Sequence, residues 1–338
     1  MDPEAIRGVE RVPHGGCTDS TVTDFSANVN PTVPTGVTRA YEDALAASKR
    51  YPDDDYSAYR AVASEYVGCE PREVIPTPGG LAGIRLAIET LINEDDSVLV
   101  PYPSFGEYGR EVALQGARVE AVPYDELLKA DPADHAMAIV CNPNNPTGTV
   151  YESAALLDFL ERCRTERTPL LVDEAFLGFT DRPSIAGREG VVVARSLTKL
   201  FGLPGLRAGF LAAPEGLAER LERARLAWNL GTPAAAVGAH CMRQREFVER
   251  TRERVTTERE RMAERLAERY EVRASEAPFL LLDVGEVGVD AVLSALRAEG
   301  MTARDARSFR GLDSHLRVAV RLPEENDRLL DVLLDVDV

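Results

Sequence analysis

Three short apolar runs, each closed by a cluster of polar residues, limit the folds open to this chain. Ile139-Val140-Cys141 runs into Asn142-Pro143-Asn144-Asn145-Pro146-Thr147-Gly148, and Leu170-Leu171-Val172 into Asp173-Glu174-Ala175-Phe176. Val191-Val192-Val193-Ala194 runs into Arg195-Ser196-Leu197-Thr198-Lys199. Runs this short and this uniformly apolar are strands covered on both faces, because a half-exposed strand would alternate polar and apolar positions. Similar runs fall at 74–76, 97–100, 118–122 and 207–213, and helical patterns cover 81–92, 106–115 and 152–166. Strands alternating with helices imply an α/β fold, with a largely parallel, seven-stranded-type sheet sandwiched between helices. Ligands in such sheets bind where the strands end, so the three polar clusters are expected to converge on one crevice.

The third cluster carries the sharpest chemical signal. Of 39 basic residues only three are lysines, Lys49, Lys129 and Lys199. A chain that meets almost every need for a cation with Arg, yet keeps Lys199 at a strand end, needs an amine that can lose its proton. A guanidinium cannot do so, whereas a confined lysine becomes a nucleophile. Ser196, Thr198 and Arg207 around that amine form an expected anion clamp. Amine, clamp and strand end together point to a carbonyl cofactor that carries a phosphate.

Outside the sheet, residues 1–36 read as an irregular arm, with helices over 38–48 and 57–67. From Trp228 the chain turns helical and charged: Phe247, Val248, Val255, Met262 and Leu266 place one apolar stripe on a long helix over 244–268. Strands near 279–284, 301–304 and 316–321 with helices over 288–299 and 324–335 make a small α+β unit, to which the arm is expected to return. The expected division is a large domain over 38–230 and a small one formed by 1–37 with 231–338.

The net charge of −17 excludes a phosphate-neutralising nucleic-acid surface. Together with the scarcity of lysine it resembles the surface of a protein kept soluble in high salt. No apolar run is long enough to span a membrane, and the start Met1-Asp2-Pro3-Glu4 lacks a secretory signal. Five scattered cysteines and four isolated histidines form neither a disulfide frame nor a metal cluster, so a reducing, cytoplasmic setting and no metal are expected.

Four motifs in order give the resemblance. The pattern S-x-[ST]-K-x-[FYW]-x-x-x-G-x-R-x-G is met by Ser196 through Gly209, N-P-x-N-P-T-G by 142–148, D-E-A-[YF] by 173–176 and L-R by 316–317. Over nearly its whole length the chain resembles the fold-type I pyridoxal-phosphate enzymes of the class I/II aminotransferase family. The resemblance implies pyridoxal 5'-phosphate bonded to Lys199, which then serves as acid and base at the substrate Cα. It implies Asp173 at the ring nitrogen, Asn145 at the ring 3-oxygen and Phe105 stacked on the ring, with Phe176 beside it. Taken alone, an Asp ending a buried strand also suits a helix N-cap, and Phe105 also suits a core. Gly80, Leu81, Ser196, Thr198 and Arg207 would hold the cofactor phosphate, and Arg317 the substrate carboxylate. A homodimer is implied, with Tyr51 reaching the neighbouring subunit's phosphate.

Within the family, His14-Gly15-Gly16 followed by Asp24-Phe25-Ser26-Ala27-Asn28-Val29-Asn30-Pro31 is similar to the opening of the threonine-phosphate decarboxylases. Phe176, where histidinol-phosphate aminotransferases usually carry Tyr, fits that group too. The implied reaction is decarboxylation of L-threonine O-3-phosphate to aminopropanol phosphate for cobalamin biosynthesis. The alternatives are histidinol-phosphate-type amino transfer to 2-oxoglutarate and a non-catalytic cofactor-binding protein. Substrate candidates are His14, Asn28, Arg304 and Arg317, with Arg321 as a further one for the substrate phosphate.

Overall fold

The computed structural model describes residues 1–336; positions 337 and 338, the end of the expected small domain, lie outside the described residues. The chain begins with a one-turn helix α1 (Ala5–Gly8), strand β1 (Thr23–Asp24) and helices α2 (Val37–Ala47) and α3 (Ser57–Val67). The alternating region follows: β2 (Val74–Thr77), α4 (Gly80–Leu91), β3 (Ser97–Tyr102), α5 (Glu107–Ala113) and β4 (Arg118–Pro123). It continues through β5 (Met137–Cys141), α6 (Ser153–Glu166), β6 (Leu170–Asp173), β7 (Val191–Ser196), α7 (Leu197–Leu200) and β8 (Gly209–Ala212). These strands form one sheet of seven in the order β2-β8-β7-β6-β5-β3-β4.

All neighbours in that sheet are parallel except β8, which lies antiparallel between β2 and β7. A parallel return needs a crossover connection that carries the chain back along the sheet, usually through a helix. The β7–β8 connection instead carries one helical turn at the carboxyl edge of the sheet, so β8 comes straight back. That connection is the lysine loop. Strands β5 and β6 are buried along their whole length and β7 up to Arg195, as their uniform apolarity requires. Strand β4 is the edge, and its first residues, Arg118, Val119 and Glu120, are exposed.

Beyond the sheet come helices α8 (Glu215–Ala224), α9 (Thr232–Met242) and α10 (Arg245–Leu266). The small unit is built from β9 (Glu271–Val272), β10 (Phe279–Asp283), α11 (Val289–Ala298), β11 (Met301–Thr302), β12 (Arg304–Asp305), β13 (His315–Ala319) and α12 (Pro323–Asp335). Its antiparallel sheet runs β12-β13-β10-β9. The arm does return to it, since β1 pairs in parallel with β11 through Thr23 and Met301. Among the described residues no helix is long and apolar enough to cross a membrane.

Three expectations need correction. Helix α8 was not foreseen, although it is amphipathic: Ala218 and Leu221 are buried on one face and Glu and Arg occupy the other. The arm is not wholly irregular, as α1 and β1 are regular. The strand expected over 207–213 starts at Gly209 because Arg207 takes a left-handed conformation, φ 54°. That kink turns its side chain away from a strand's alternation.

Candidate active site

The polar ends of β5, β6 and β7, the β2–α4 turn and the start of β8 all lie at one edge of the sheet, where they surround a cavity of about 260 Å³. That size lies just under the range of about 300–1,000 Å³ common for small-molecule sites. At the floor, β6 delivers Asp173, which is only 6% exposed. Its Oδ2 accepts a hydrogen bond from the Tyr108 hydroxyl at 2.6 Å, and its Oδ1 accepts one from the Ala175 amide at 2.9 Å. Burial pushes the Asp173 carboxyl above the usual range, against the pull of these donors and of Arg195 and Lys199. A carboxylate placed this way has two fixed donors and is short of a cation.

Lys199 stands at the end of the single turn α7. Burial, then the cations Arg317 and Arg207, lower its amine to about 8. Asp173 and Asp24 oppose that shift but do not reverse it. A sizeable fraction of this amine is therefore neutral, and nucleophilic, near physiological pH.

An anion cradle lies beside the amine. Helix α4 starts at Gly80, so the Gly80 and Leu81 amides face the cavity at the positive end of a 12-residue helix. The Ser196 and Thr198 hydroxyls lie 2.8 Å apart, and the Arg207 guanidinium closes the side, donating to the Pro78 carbonyl at 3.4 Å. Gly79 has φ +95°, and a Cβ there would meet Arg207 Nη2 at 2.6 Å. Gly79→Ala is therefore expected to strain the turn and displace Arg207. The check is anion affinity: binding of a phosphate-bearing ligand should weaken about tenfold, roughly the ~1–3 kcal/mol of one disturbed charged hydrogen bond, with the helix content of the protein unchanged.

The opposite wall comes from the small unit and the arm. Arg317, on β13 and 5% exposed, donates through Nη1 to Asn145 Oδ1 and through Nη2 to the Ser26 carbonyl at 2.9 Å. Its Nε has no partner among the described residues. Arg304 is its cross-strand partner on β12. Burial and the Arg304 charge push Arg317 down to about 9, which marks a guanidinium short of anions. Arg304 donates to the Pro13 carbonyl at 2.6 Å and to Ser308 Oγ at 2.8 Å, at the cavity mouth. His14 pairs through Nε2 with Glu107 Oε1 at 2.8 Å and its ring lies 5.7 Å from that of Phe105. Asn28 is buried in the lining, and its Oδ1 has no partner among the described residues. Phe105, half-buried, meets Tyr108 edge-on, and Phe176 meets Phe279 edge-on.

Of the expected site residues, Tyr51 and Arg321 lie outside this cavity. Tyr51 is 79% exposed and stacks on Trp228 with ring centroids 4.6 Å apart. Arg321, a further candidate for the substrate phosphate, does not reach the lining. It is held by the Asp24 carbonyl and Glu325, because the strand carrying it ends at Ala319 and points it back toward α12. Sequence reasoning missed Tyr108 and Ser308, which also line the cavity. Tyr108 left one usable sign, standing in the first turn of α5, three residues after Phe105.

A neutralisable amine, a buried carboxylate and a phosphate-sized cradle at the carboxyl edge of this sheet define a pyridoxal-phosphate enzyme. The chain belongs to the class I and II aminotransferase family, whose sequence pattern matches residues 20–333. It is 31% identical over 330 residues to histidinol-phosphate aminotransferase 2 of Archaeoglobus fulgidus, covering 94% of each chain. It is 29% identical over 340 residues to threonine-phosphate decarboxylase of Salmonella typhimurium, covering 95% of this chain and 93% of that one. The crystal structure of histidinol-phosphate aminotransferase from Clostridium acetobutylicum superposes with a TM-score of 0.85 at 24% identity, over 93% of this chain and 99% of that one.

Proposed function

We propose that this enzyme decarboxylates L-threonine O-3-phosphate, a step that would supply aminopropanol phosphate for cobalamin assembly. The observation that carries the reading is the facing pair Arg304 and Arg317. Like charges directly opposite on neighbouring strands repel, and their Cβ atoms stand only about 4.5–5.5 Å apart. A compact substrate with two anions, a carboxylate for Arg317 and a phosphate for Arg304 with His14 and Asn28, relieves that repulsion. Threonine phosphate carries both anions on a short backbone. Histidinol phosphate has no carboxylate, so in the aminotransferase reading Arg317 would serve the carboxylate of 2-oxoglutarate or glutamate instead.

The residues around the cavity fit the cofactor. Gly79 and Gly80 leave room where a side chain would fill the cradle, and the hydrogen-bond partners of Asp173 are a neutral hydroxyl and an amide rather than a cation. In this reading the Gly80 and Leu81 amides, Ser196, Thr198 and Arg207 hold the cofactor phosphate. Asp173 holds the proton on the ring nitrogen, Asn145 donates to the ring oxygen, and Phe105 covers the ring face. Phe176 offers no second donor to that oxygen. Bound pyridoxal phosphate supplies an electron sink for whichever Cα bond stands perpendicular to its ring. Arg317 and Arg304 would turn the Cα–carboxylate bond into that orientation, and Lys199 would deliver the proton to Cα afterwards. Tyr51, exposed on the outside, would reach the cradle of a second copy of the chain, making the working unit a homodimer. The large domain over 38–230 and the small one over 1–37 with 231–338 would then meet at the cavity.

A second reading, histidinol-phosphate-type amino transfer, is favoured by the relative from Archaeoglobus. Carbon dioxide release from threonine phosphate, measured beside keto-acid formation from histidinol phosphate and 2-oxoglutarate, separates the two. Carbon dioxide without transfer is expected; the reverse would establish the aminotransferase. Arg304→Ala is expected to lower kcat/KM for threonine phosphate by about 10–100-fold, the range of one lost charge-assisted contact, and to leave unphosphorylated threonine untouched.

A further inference from the structure

We infer that Tyr108 is a positioning residue that holds the Asp173 carboxylate in the orientation and charge state needed to face a protonated ring nitrogen. The inference rests on the reading of Asp173 given above and goes beyond it to a residue that makes no direct claim on the cofactor's reacting atoms. Tyr108 is completely buried in the first turn of α5, and its hydroxyl bonds Asp173 Oδ2 at 2.6 Å. The Ala175 amide donates to the other oxygen, Oδ1, at 2.9 Å. With one donor on each oxygen the carboxylate cannot rotate, and each oxygen keeps a lone pair for a further partner. Desolvation alone would favour a neutral carboxyl, and hydrogen bonds to the charged form are what counter it.

The hydroxyl is suited to be a permanent donor. Burial first, and then the Asp173 charge, push the phenol well above its ordinary range, so it keeps its proton. The neighbouring Cys141 thiol is pushed up to about 12, mainly by burial, so it adds no competing anion. Packing does not account for the hydroxyl. A phenylalanine would meet Phe105 edge-on equally well, and Tyr108 would otherwise bury an oxygen to no purpose.

The test uses the full-length protein loaded with pyridoxal phosphate, and variants Tyr108→Phe, Asp173→Asn and the double variant. Two quantities are read: the pH midpoint of the bound cofactor's visible absorption and the cofactor dissociation constant. Tyr108→Phe should move the midpoint in the same direction as Asp173→Asn but less far, and weaken cofactor binding about tenfold. The double variant should equal Asp173→Asn, because Tyr108 acts through that carboxylate. Site-specific 3-fluorotyrosine at 108, a stronger donor, should move the midpoint the opposite way. A Tyr108→Phe protein with unchanged midpoint and affinity, beside a shifted Asp173→Asn protein, overturns the role of Tyr108 and leaves that of Asp173. An Asp173→Asn protein identical to wild type overturns both. Circular dichroism of each unloaded variant separates these results from misfolding, and fluorotyrosine keeps the test open if Tyr108→Phe does not fold.

Discussion

Lys199→Ala should take up pyridoxal phosphate without fixing it covalently and should turn over about 10²–10⁴-fold more slowly from lost proton transfer alone. Borohydride treatment followed by mass measurement checks the first part: wild type gains the reduced cofactor on the Lys199 peptide and the variant gains nothing. Lys199→Arg should fare no better, since a guanidinium keeps its proton. The same amine sets a pH dependence. Its pKa is lowered to about 8 by burial and by Arg317 and Arg207, so it is mostly protonated below that pH and mostly free above it. Covalent capture of added cofactor by the unloaded protein should therefore accelerate as pH rises through about 8. A midpoint near that of free lysine would mean that the amine is not desolvated as the cavity geometry requires.

The strand ends were legible because burial on both faces leaves uniform apolar runs, and the lysine because it is rare in an arginine-rich chain. Cys141, Asp173 and Ser196 follow directly from such runs, and they do close one cavity. The pairing of Arg304 with Arg317 was not legible. It depends on a strand register set by contacts far apart in sequence, between a two-residue strand and β13. The same holds for the Tyr108–Asp173 bond, which joins residues 65 apart through the packing of α5 on the sheet. Local pattern reports which face of an element is buried, not which partner it meets there. Arg321 shows the limit in the other direction. It stands four residues after Arg317, yet the strand stops at Ala319 and the side chain turns to Glu325.

Arg317→Ala is expected to have the other large effect, because Arg317 is buried whereas its neighbour Arg304 is partly exposed. Arg317 is buried, donates to Asn145 and to the Ser26 carbonyl, and is held short of anions by Arg304. Truncating one partner of a buried charged pair costs about 3–5 kcal/mol, equivalent at about 1.4 kcal/mol per decade to a loss of roughly 10² to 4 × 10³ in kcat/KM for a carboxylate substrate. Arg317→Lys should recover little, because an ammonium cannot make the planar fork. Inhibition by aminopropanol phosphate, which has the phosphate and amine but no carboxylate, isolates the assignment. Arg317→Ala should leave that inhibition constant unchanged, while Arg304→Ala should weaken it together with substrate binding. Equal weakening of both ligands by Arg317→Ala would assign the phosphate, not the carboxylate, to Arg317. The two guanidiniums would then have exchanged roles, and the bond aligned for cleavage would no longer be the one to the carboxylate.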